Sequence, residues 1–396
     1  MKSSWFNECV FYTALWCLYY LQGILYPSGS IISRGVLLII LFLSLYYMVV
    51  SFRKYKMPTF LKTVAIFVGM FIVYFFVSYV NPTPIYVDFV MEQQVTAWGT
   101  LKTLLMSLLP IYAYYHFGQK GLLTEHNIPK YIICLLCLTT LMFIRTQNNN
   151  IIDAMSMGSD QEEFTNNIAY NFLGLMPLFV FLHKKTTLQY VALIYAMVFI
   201  LLGMKRGAIL IGILCVIYFI YQIYHSANRK LRKRIVVLSI IALVGFAYFA
   251  SNFMASSDYF QHRVEDTMAG NSSGRDIIYS TLWEHMFARN SIGEILFGEG
   301  MNQTVALAGK YAHNDWLELG VNMGLLGVFI YIIYFVALGI NILNVRKYNK
   351  IVFASLMLCL ALMFLKSIFS MSYGSLSIGT TMALGYSLAY RCNYTS

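Results

Sequence analysis

Stretches of about twenty mostly apolar residues recur from one end of this chain to the other, each long enough to cross a bilayer as a helix. No other feature constrains the fold so strongly. Lipid offers no partner for an open backbone amide or carbonyl, so a spanning segment is a helix or a strand of a closed barrel. These stretches are too long and too uniformly apolar for barrel strands. Of the 396 residues 59% are hydrophobic and 11% charged, whereas a soluble domain is closer to a quarter charged. The reading is an all-α polytopic membrane protein, residues 1–396 forming a single integral membrane domain. Twelve helices are expected, near 5–26, 31–52, 60–80, 96–117, 129–146, 167–183, 188–204, 207–225, 235–253, 315–340, 351–369 and 371–390. The first has only Lys2 as a positive start and carries Glu8, so it reads as an uncleaved helix rather than a signal peptide.

The net charge is +11. Its distribution argues against nucleic acid as the partner. The basic clusters are Arg53-Lys54-Tyr55-Lys56, Lys184-Lys185, Asn228 to Arg234 and Arg346-Lys347. With twelve spans and cytoplasmic N- and C-termini, all four fall on the cytoplasmic side, as the positive-inside rule requires. They read as topology signals and anchors for anionic lipid. The same topology puts 81–95, 147–166 and 254–312 outside. The last is a large extracytoplasmic loop with seven acidic residues against four Lys or Arg. It is expected to hold two amphipathic helical pieces, near 275–290 and 301–310, joined by Gly-rich turns and preceded by a flexible Asn271-Ser272-Ser273-Gly274. None of the seven cysteines lies in this loop, and Cys134-x-x-Cys137 falls within an apolar helix, where packing is the better reading. No Cys/His cluster has zinc spacing, so neither a metal nor another cofactor is expected.

Cations should be scarce on the outer side, and those found there are informative. Lys205-Arg206-Gly207 lies in a tight connection between the seventh and eighth helices, Arg275 opens the first helical piece of the loop, Arg263 and Arg289 lie in the same loop, and Tyr311-Ala312-His313-Asn314-Asp315-Trp316 closes it. Charge at the membrane raises a functional hypothesis by default. A guanidinium presents a planar fork of donors that matches phosphate oxygens. Two forks beside a lipid face would hold a diphosphate whose tail stays in the bilayer. A nearby histidine, titrating near neutral pH, would deprotonate a sugar hydroxyl. That is equipment for glycosyl transfer from a polyprenyl-diphosphate-linked sugar, the arginines stabilising charge as the diphosphate departs.

Plainer readings stand beside these. Arg206 fits a residue that snorkels to headgroups, Arg275 a solvated loop residue, and His313 an interfacial structural histidine. Asn314 is a natural N-cap and Asp315 suits a first turn, so part of the motif is helix initiation. Glu318, one turn on, fits a partner that orients or charge-pairs the histidine, and equally a solvated carboxylate. Asn166-Asn167 opens the sixth helix and fits a sugar contact or an N-cap. Trp98, Trp283 and Trp316 are weaker candidates for sugar stacking. Lys366 fits a partner of a loop carboxylate or of substrate, or a snorkelling lysine.

Several of these segments resemble one family. Leu202-Gly203-Met204-Lys205-Arg206-Gly207-Ala208 resembles the Arg-Gly helix start of the O-antigen polymerase and O-antigen ligase superfamily. Ser273-Gly274-Arg275 with Trp283 resembles the opening of its large periplasmic loop. Leu296-Phe297-Gly298-Glu299-Gly300, then Ala312-His313-Asn314, Leu317, Gly320 and Gly324-Leu325-Leu326-Gly327, resembles its C-terminal signature. Phe164-Thr165-Asn166-Asn167-Ile168-Ala169 is similar to its middle-helix start, with Asn166 where the family usually offers Pro. The resemblance covers roughly 160–335.

The resemblance implies a C-type membrane glycosyltransferase in the bacterial inner membrane, acting at its outer face on undecaprenyl-diphosphate-linked oligosaccharide. His313 would be the general base and Arg206 and Arg275 would contact the diphosphate, with Lys205, Asn167, Arg263, Arg289, Asn314 and Glu318 as accessory positions. The implied reaction inverts the anomeric centre and needs no metal. A polymerase adding to another lipid-linked repeat is the first expectation, and a ligase adding to lipid A-core the second. Membrane lipids and a chain-length regulator protein complete the expected partners. A secondary carrier would show two related halves, and none are visible. A non-catalytic scaffold for envelope assembly is the third reading.

Overall fold

The computed structural model describes residues 7–80, 96–156, 164–226, 229–256, 261, 265 and 274–392. In chain order its helices are α1 (Glu8–Tyr20), α2 (Ile31–Lys54), α3 (Thr59–Val80), α4 (Ala97–Leu108), α5 (Pro110–Gln119), α6 (Ile128–Ser156), α7 (Ala169–Phe179), α8 (Thr186–Leu202), α9 (Arg206–Ser226), α10 (Arg229–Ser256), α11 (Arg275–Phe287), α12 (Ile292–Phe297), α13 (Gln303–Ala308), α14 (Asp315–Val345), α15 (Lys350–Phe369) and α16 (Ile378–Cys392). A 3-10 turn, Val180–Leu182, continues α7. Among the described residues the only extended pairing is an isolated bridge between Gln22 and Tyr26.

Each of the twelve expected stretches contains helix. Among the described residues six helices are long and apolar enough to cross a membrane: α2, α3, α6 over Ile128–Asp153, α9 over Arg206–His225, α14 and α15. Ala169–Leu182 and α8 are apolar but shorter. This is a multi-pass helical membrane protein.

The expected outlines are corrected at four places. The fourth stretch is two helices, because Pro110 has no amide to continue α4 and instead starts α5. The last begins only at Ile378, because the serine-rich segment before it is held in an irregular path by Asp315, as described below. Among its described residues the outer loop carries three named helices, α11, α12 and α13, where two were expected. Finally, α14 runs 31 residues, about 46 Å at 1.5 Å per residue, against a hydrocarbon core of about 30 Å. The excess is cut off by a break at Gly324, whose φ of 61° and ψ of −158° leave the helix. Asp315 to Met323 form a short arm, and Leu325 to Val345 a long arm of about 31 Å. A β-carbon on Gly324 would lie 2.5 Å from the Gly298 amide nitrogen and 2.6 Å from the Leu296 carbonyl carbon, so the break also admits the backbone of α12.

The bundle is closed by aromatic side chains that reach between helices. Tyr112, Tyr114 and Tyr115 of α5 are fully buried. The Tyr112 hydroxyl donates to the Leu61 carbonyl of α3 at 2.5 Å. Phe67 of α3 stacks on Tyr331 of α14 with ring centroids 5.5 Å apart. In lipid the outer faces gain nothing from burial, so packing and polar contacts of this kind hold the helices together.

Candidate functional site

The C-terminal end of α15 is the anchor on which the predicted residues converge. The last carbonyls of any helix lack an intrahelical donor. Here two are taken by side chains from elsewhere in the sequence. Asn314 Nδ2 donates to the Ile368 carbonyl at 3.3 Å, and Arg275 Nη1 donates to the Phe369 carbonyl at 3.0 Å. Arg275 is the first residue of α11, delivered by Gly274 at φ 77°. The loop before α14 and the start of α11 are therefore pinned to one helix end.

The Lys205-Arg206 turn reaches the same place from the other side. Gly207 lies in the first turn of α9 against Tyr170 and Phe369. A β-carbon there would fall 2.8 Å from the Tyr170 hydroxyl oxygen and 3.5 Å from Phe369 Cβ. Glycine thus permits α9 to start close against α7 and α15, with Arg206 beside it. Met204 precedes the pair at φ 52°, a left-handed conformation uncommon for a residue with a side chain. Asn166 fixes this turn. It is fully buried, its backbone amide donates to the Gly203 carbonyl at 2.8 Å, and its side chain donates to the Phe143 carbonyl at 2.9 Å. Its neighbour Asn167 is exposed at the same end of α7. Asn166 is thus a lock within the fold and Asn167 the member of the pair open to a ligand.

His313 is also left-handed, at φ 52°, and the residues on either side hold it there. The Ala312 amide donates to Glu318 Oε1 at 2.6 Å. Asn314 caps α14, its Oδ1 accepting from the Trp316 and Leu317 amides at 3.0 and 3.2 Å. Such strain persists only where the surroundings over-determine it, and it concentrates at functional sites. The ring keeps an exposed face. Burial by the protein packed around its inner side, and then the positive charges of Arg275, Lys205 and Lys310, hold the imidazole below the usual histidine range. At neutral pH it is accordingly the neutral, proton-accepting form.

Glu318 does not orient or pair with the histidine ring, as one sequence reading had it. Its carboxylate is buried in the short arm, bonded to the Ala312 amide, to the Thr304 hydroxyl at 2.5 Å and to Asn322 Nδ2 at 3.3 Å. It positions the backbone before His313 instead. Asp315, likewise buried, accepts from the Tyr331 hydroxyl at 2.6 Å and from the Ser372 and Tyr373 amides. It thereby staples the loop after α15 to the start of α14.

Arg289 is placed apart from this cluster. Its guanidinium donates to Glu299 Oε1 at 2.9 Å and to the carbonyls of Gly320 and Val321 at 3.0 and 2.8 Å. These carbonyls are freed by the Gly324 break, so Arg289 closes the end of the short arm. Lys366 donates to the Ser375 carbonyl and hydroxyl at 2.7 and 2.8 Å and lies 5.1 Å from the Tyr170 ring centroid, rather than on a loop carboxylate. Trp316 is stacked inside on Phe335, and its indole donates to Ser367, whereas Trp98 and Trp283 are exposed. Arg263 and the segment Asn271-Ser272-Ser273 lie outside the described residues. Among the described residues no group of three His, Cys, Asp or Glu is arranged to hold a metal ion.

Two residues of the cluster were not singled out from sequence. Tyr170 carried no signal beyond its place three residues after Asn167. Lys310 did carry one, since it is a cation in a loop otherwise short of them.

Together these features define a polytopic helical membrane protein with histidine, arginine and lysine gathered at one end of the bundle. The O-antigen ligase family model matches residues 191–332. That segment is a little over a third of the chain and contains Arg206, Arg275 and His313, and the match supports the resemblance of its motifs to the O-antigen polymerase and ligase superfamily. Such families are glycosyltransferase-like, which supports an enzymatic role on surface polysaccharide. No curated protein matches the chain.

Proposed function

We propose that this protein is a surface-polysaccharide polymerase of O-antigen or capsule type, transferring an undecaprenyl-diphosphate-linked glycan to a sugar hydroxyl of another lipid-linked repeat. The observation that carries the reading is the convergence of His313 and Arg275 on the last turn of α15, with the imidazole held neutral by its surroundings. His313 takes the proton of the acceptor hydroxyl as its oxygen attacks the anomeric carbon. The bond from that carbon to the diphosphate breaks on the opposite side, so the centre inverts. The departing undecaprenyl diphosphate carries the electron pair, and its charge is met by Arg206 and Arg275. The proton then passes from His313 to water. With guanidinium groups neutralising the leaving group, the step as written draws on no metal. Lys205, Lys310 and Asn167 line the approach.

The proposed topology has twelve spans, cytoplasmic termini and the His313 end on the periplasmic side of the inner membrane. It is supported by the four basic clusters at the opposite helix ends. A ligase that transfers finished glycan to lipid A-core or another surface acceptor is the second reading, favoured by the description of the matching family.

Purified protein in liposomes, given lipid-linked repeat units alone, separates these. A ladder of lengthening lipid-linked products supports the polymerase. Transfer only when lipid A-core is added supports the ligase. No transfer in either case contradicts both.

A further inference from the structure

Helix α12 and the helix before it expose a run of large apolar side chains. Phe287 is 81% exposed and Ile292 75% exposed, and Trp283, Leu296 and Phe297 join them. In a loop surrounded by water this would be an unusual apolar patch. Its level in the molecule gives the reason.

Two apolar spans fix that level independently. The Phe297 carbonyl accepts from the Tyr74 hydroxyl at 2.5 Å. Tyr74 lies six residues before the end of α3, which is about 9 Å below that end at 1.5 Å per residue. From the other side, the backbone of Leu296 to Gly298 packs into the Gly324 break, where the long arm of α14 begins. The end of α12 therefore lies below the top of one membrane-crossing helix and level with the start of another.

The irregular backbone after α12 behaves as lipid requires. The amides of Gly298, Glu299 and Gly300 donate to the carbonyls of Glu294, Val321 and Asn322, and the Met301 amide donates to Ser78 Oγ at 2.9 Å. A water-exposed turn has no need for each of these amides to find a protein acceptor. Non-helical backbone at membrane depth does. At the start of the long arm, next to the Gly324 break where α12 packs, Leu325 and Phe329 are exposed as well.

We infer that Trp283 to Phe297 form a re-entrant limb, with Phe287, Ile292, Leu296 and Phe297 seated among the acyl chains of the leaflet at the His313 end. Its occupant is bilayer lipid. Exposed Glu284 and Glu294 hold the limb at the interface rather than deeper. Stacking of Trp283 on Phe287, with centroids 5.6 Å apart, puts an indole at the depth where membrane proteins concentrate it. The inference rests on the membrane fold alone and not on the proposed reaction.

The test places a nitroxide at Phe287→Cys and at Leu296→Cys, each in a cysteine-free background of the full chain in phospholipid vesicles. Phe329→Cys serves as a lipid-facing reference and Lys184→Cys as an aqueous one. Both limb positions are expected to collide with oxygen more than with a nickel chelate, as Phe329→Cys does. The chelate preference of Lys184→Cys at both positions overturns the inference. So does protection from both agents, which would show a second copy or another protein covering the patch. Should the labelled variants fold poorly, the unlabelled protein answers the same question. Vesicles of brominated phospholipid should quench a fraction of its tryptophan emission that disappears with Trp283→Phe, and an unchanged quenched fraction contradicts lipid contact.

Discussion

Two helix ends in this protein are closed by arginines of the same loop, and the two guanidinium groups are left in different states. At the end of the short arm of α14, Arg289 is inserted between Glu299 and two backbone carbonyls, and its side chain is only 3% exposed. At the end of α15, Arg275 makes one carbonyl bond among the described residues, through Nη1, and lies beside His313, whose titration its charge lowers. Both use the same physics, a cation meeting the unpaired carbonyls and negative end of a helix. The difference is the amount of guanidinium left over. Arg289 is committed to the fold. Arg275 is pointed by its one bond and keeps donors for a ligand. Scarcity of cations on one face of a membrane protein thus marks residues worth attention without sorting structural from functional ones.

That contrast can be broken most forcefully at Arg289. Its replacement by Ala takes the guanidinium from Glu299, which keeps His285, and a donor from the Gly320 and Val321 carbonyls, of which Val321 keeps the Glu299 amide; breaking a buried pair in this way costs about 3–5 kcal/mol. A large fall in the thermal unfolding midpoint of the detergent-solubilised protein is expected. A stable, inactive Arg289→Ala protein would instead move this residue into the site. Arg275→Ala should do the reverse. The unfolding midpoint should change little, while transfer from a lipid-diphosphate donor falls by about a hundredfold, the scale of losing one stabiliser of developing charge. Equal stability losses in the two variants would erase the distinction. The smallest effect is expected at Lys310. Its charge opposes protonation of His313, so Lys310→Ala should raise the imidazole pKa. Because only the neutral ring accepts a proton, kcat/KM falls as pH drops through that pKa. The acid limb of the pH profile should therefore move to higher pH, and an unmoved or downward-shifted limb contradicts the electrostatic coupling.

Much of the fold was legible because a bilayer leaves few options. Hydropathy located helix in each of the twelve stretches, and Asn314 was readable as a cap because its side chain bonds the next turn. The legible part of the candidate site was the set of residues that are costly near lipid: Arg206, Arg275 and His313, whose catalytic roles remain proposals. What could not be read depended on tertiary partners. Hydropathy showed Gly324 only as part of an apolar run, and the break appears once Gly298 is packed against it. Nothing local showed that Glu318 would reach back to the Ala312 amide rather than to the ring beside it. Asn166 and Asn167 are adjacent in sequence, yet one is locked inside and the other exposed. The approach of Gly203, Phe143 and Gln147 to Asn166 separates them.

The central claim is that His313 accepts the proton of the attacking sugar hydroxyl while the arginines hold the donor. It is tested most directly by measuring both donor binding and single-turnover transfer with His313→Ala protein in liposomes. Loss of a positioned general base costs about 10²–10⁴-fold in rate. The account predicts a loss of that size with donor affinity retained, since Arg206 and Arg275 remain. Transfer at the unmodified rate would contradict it.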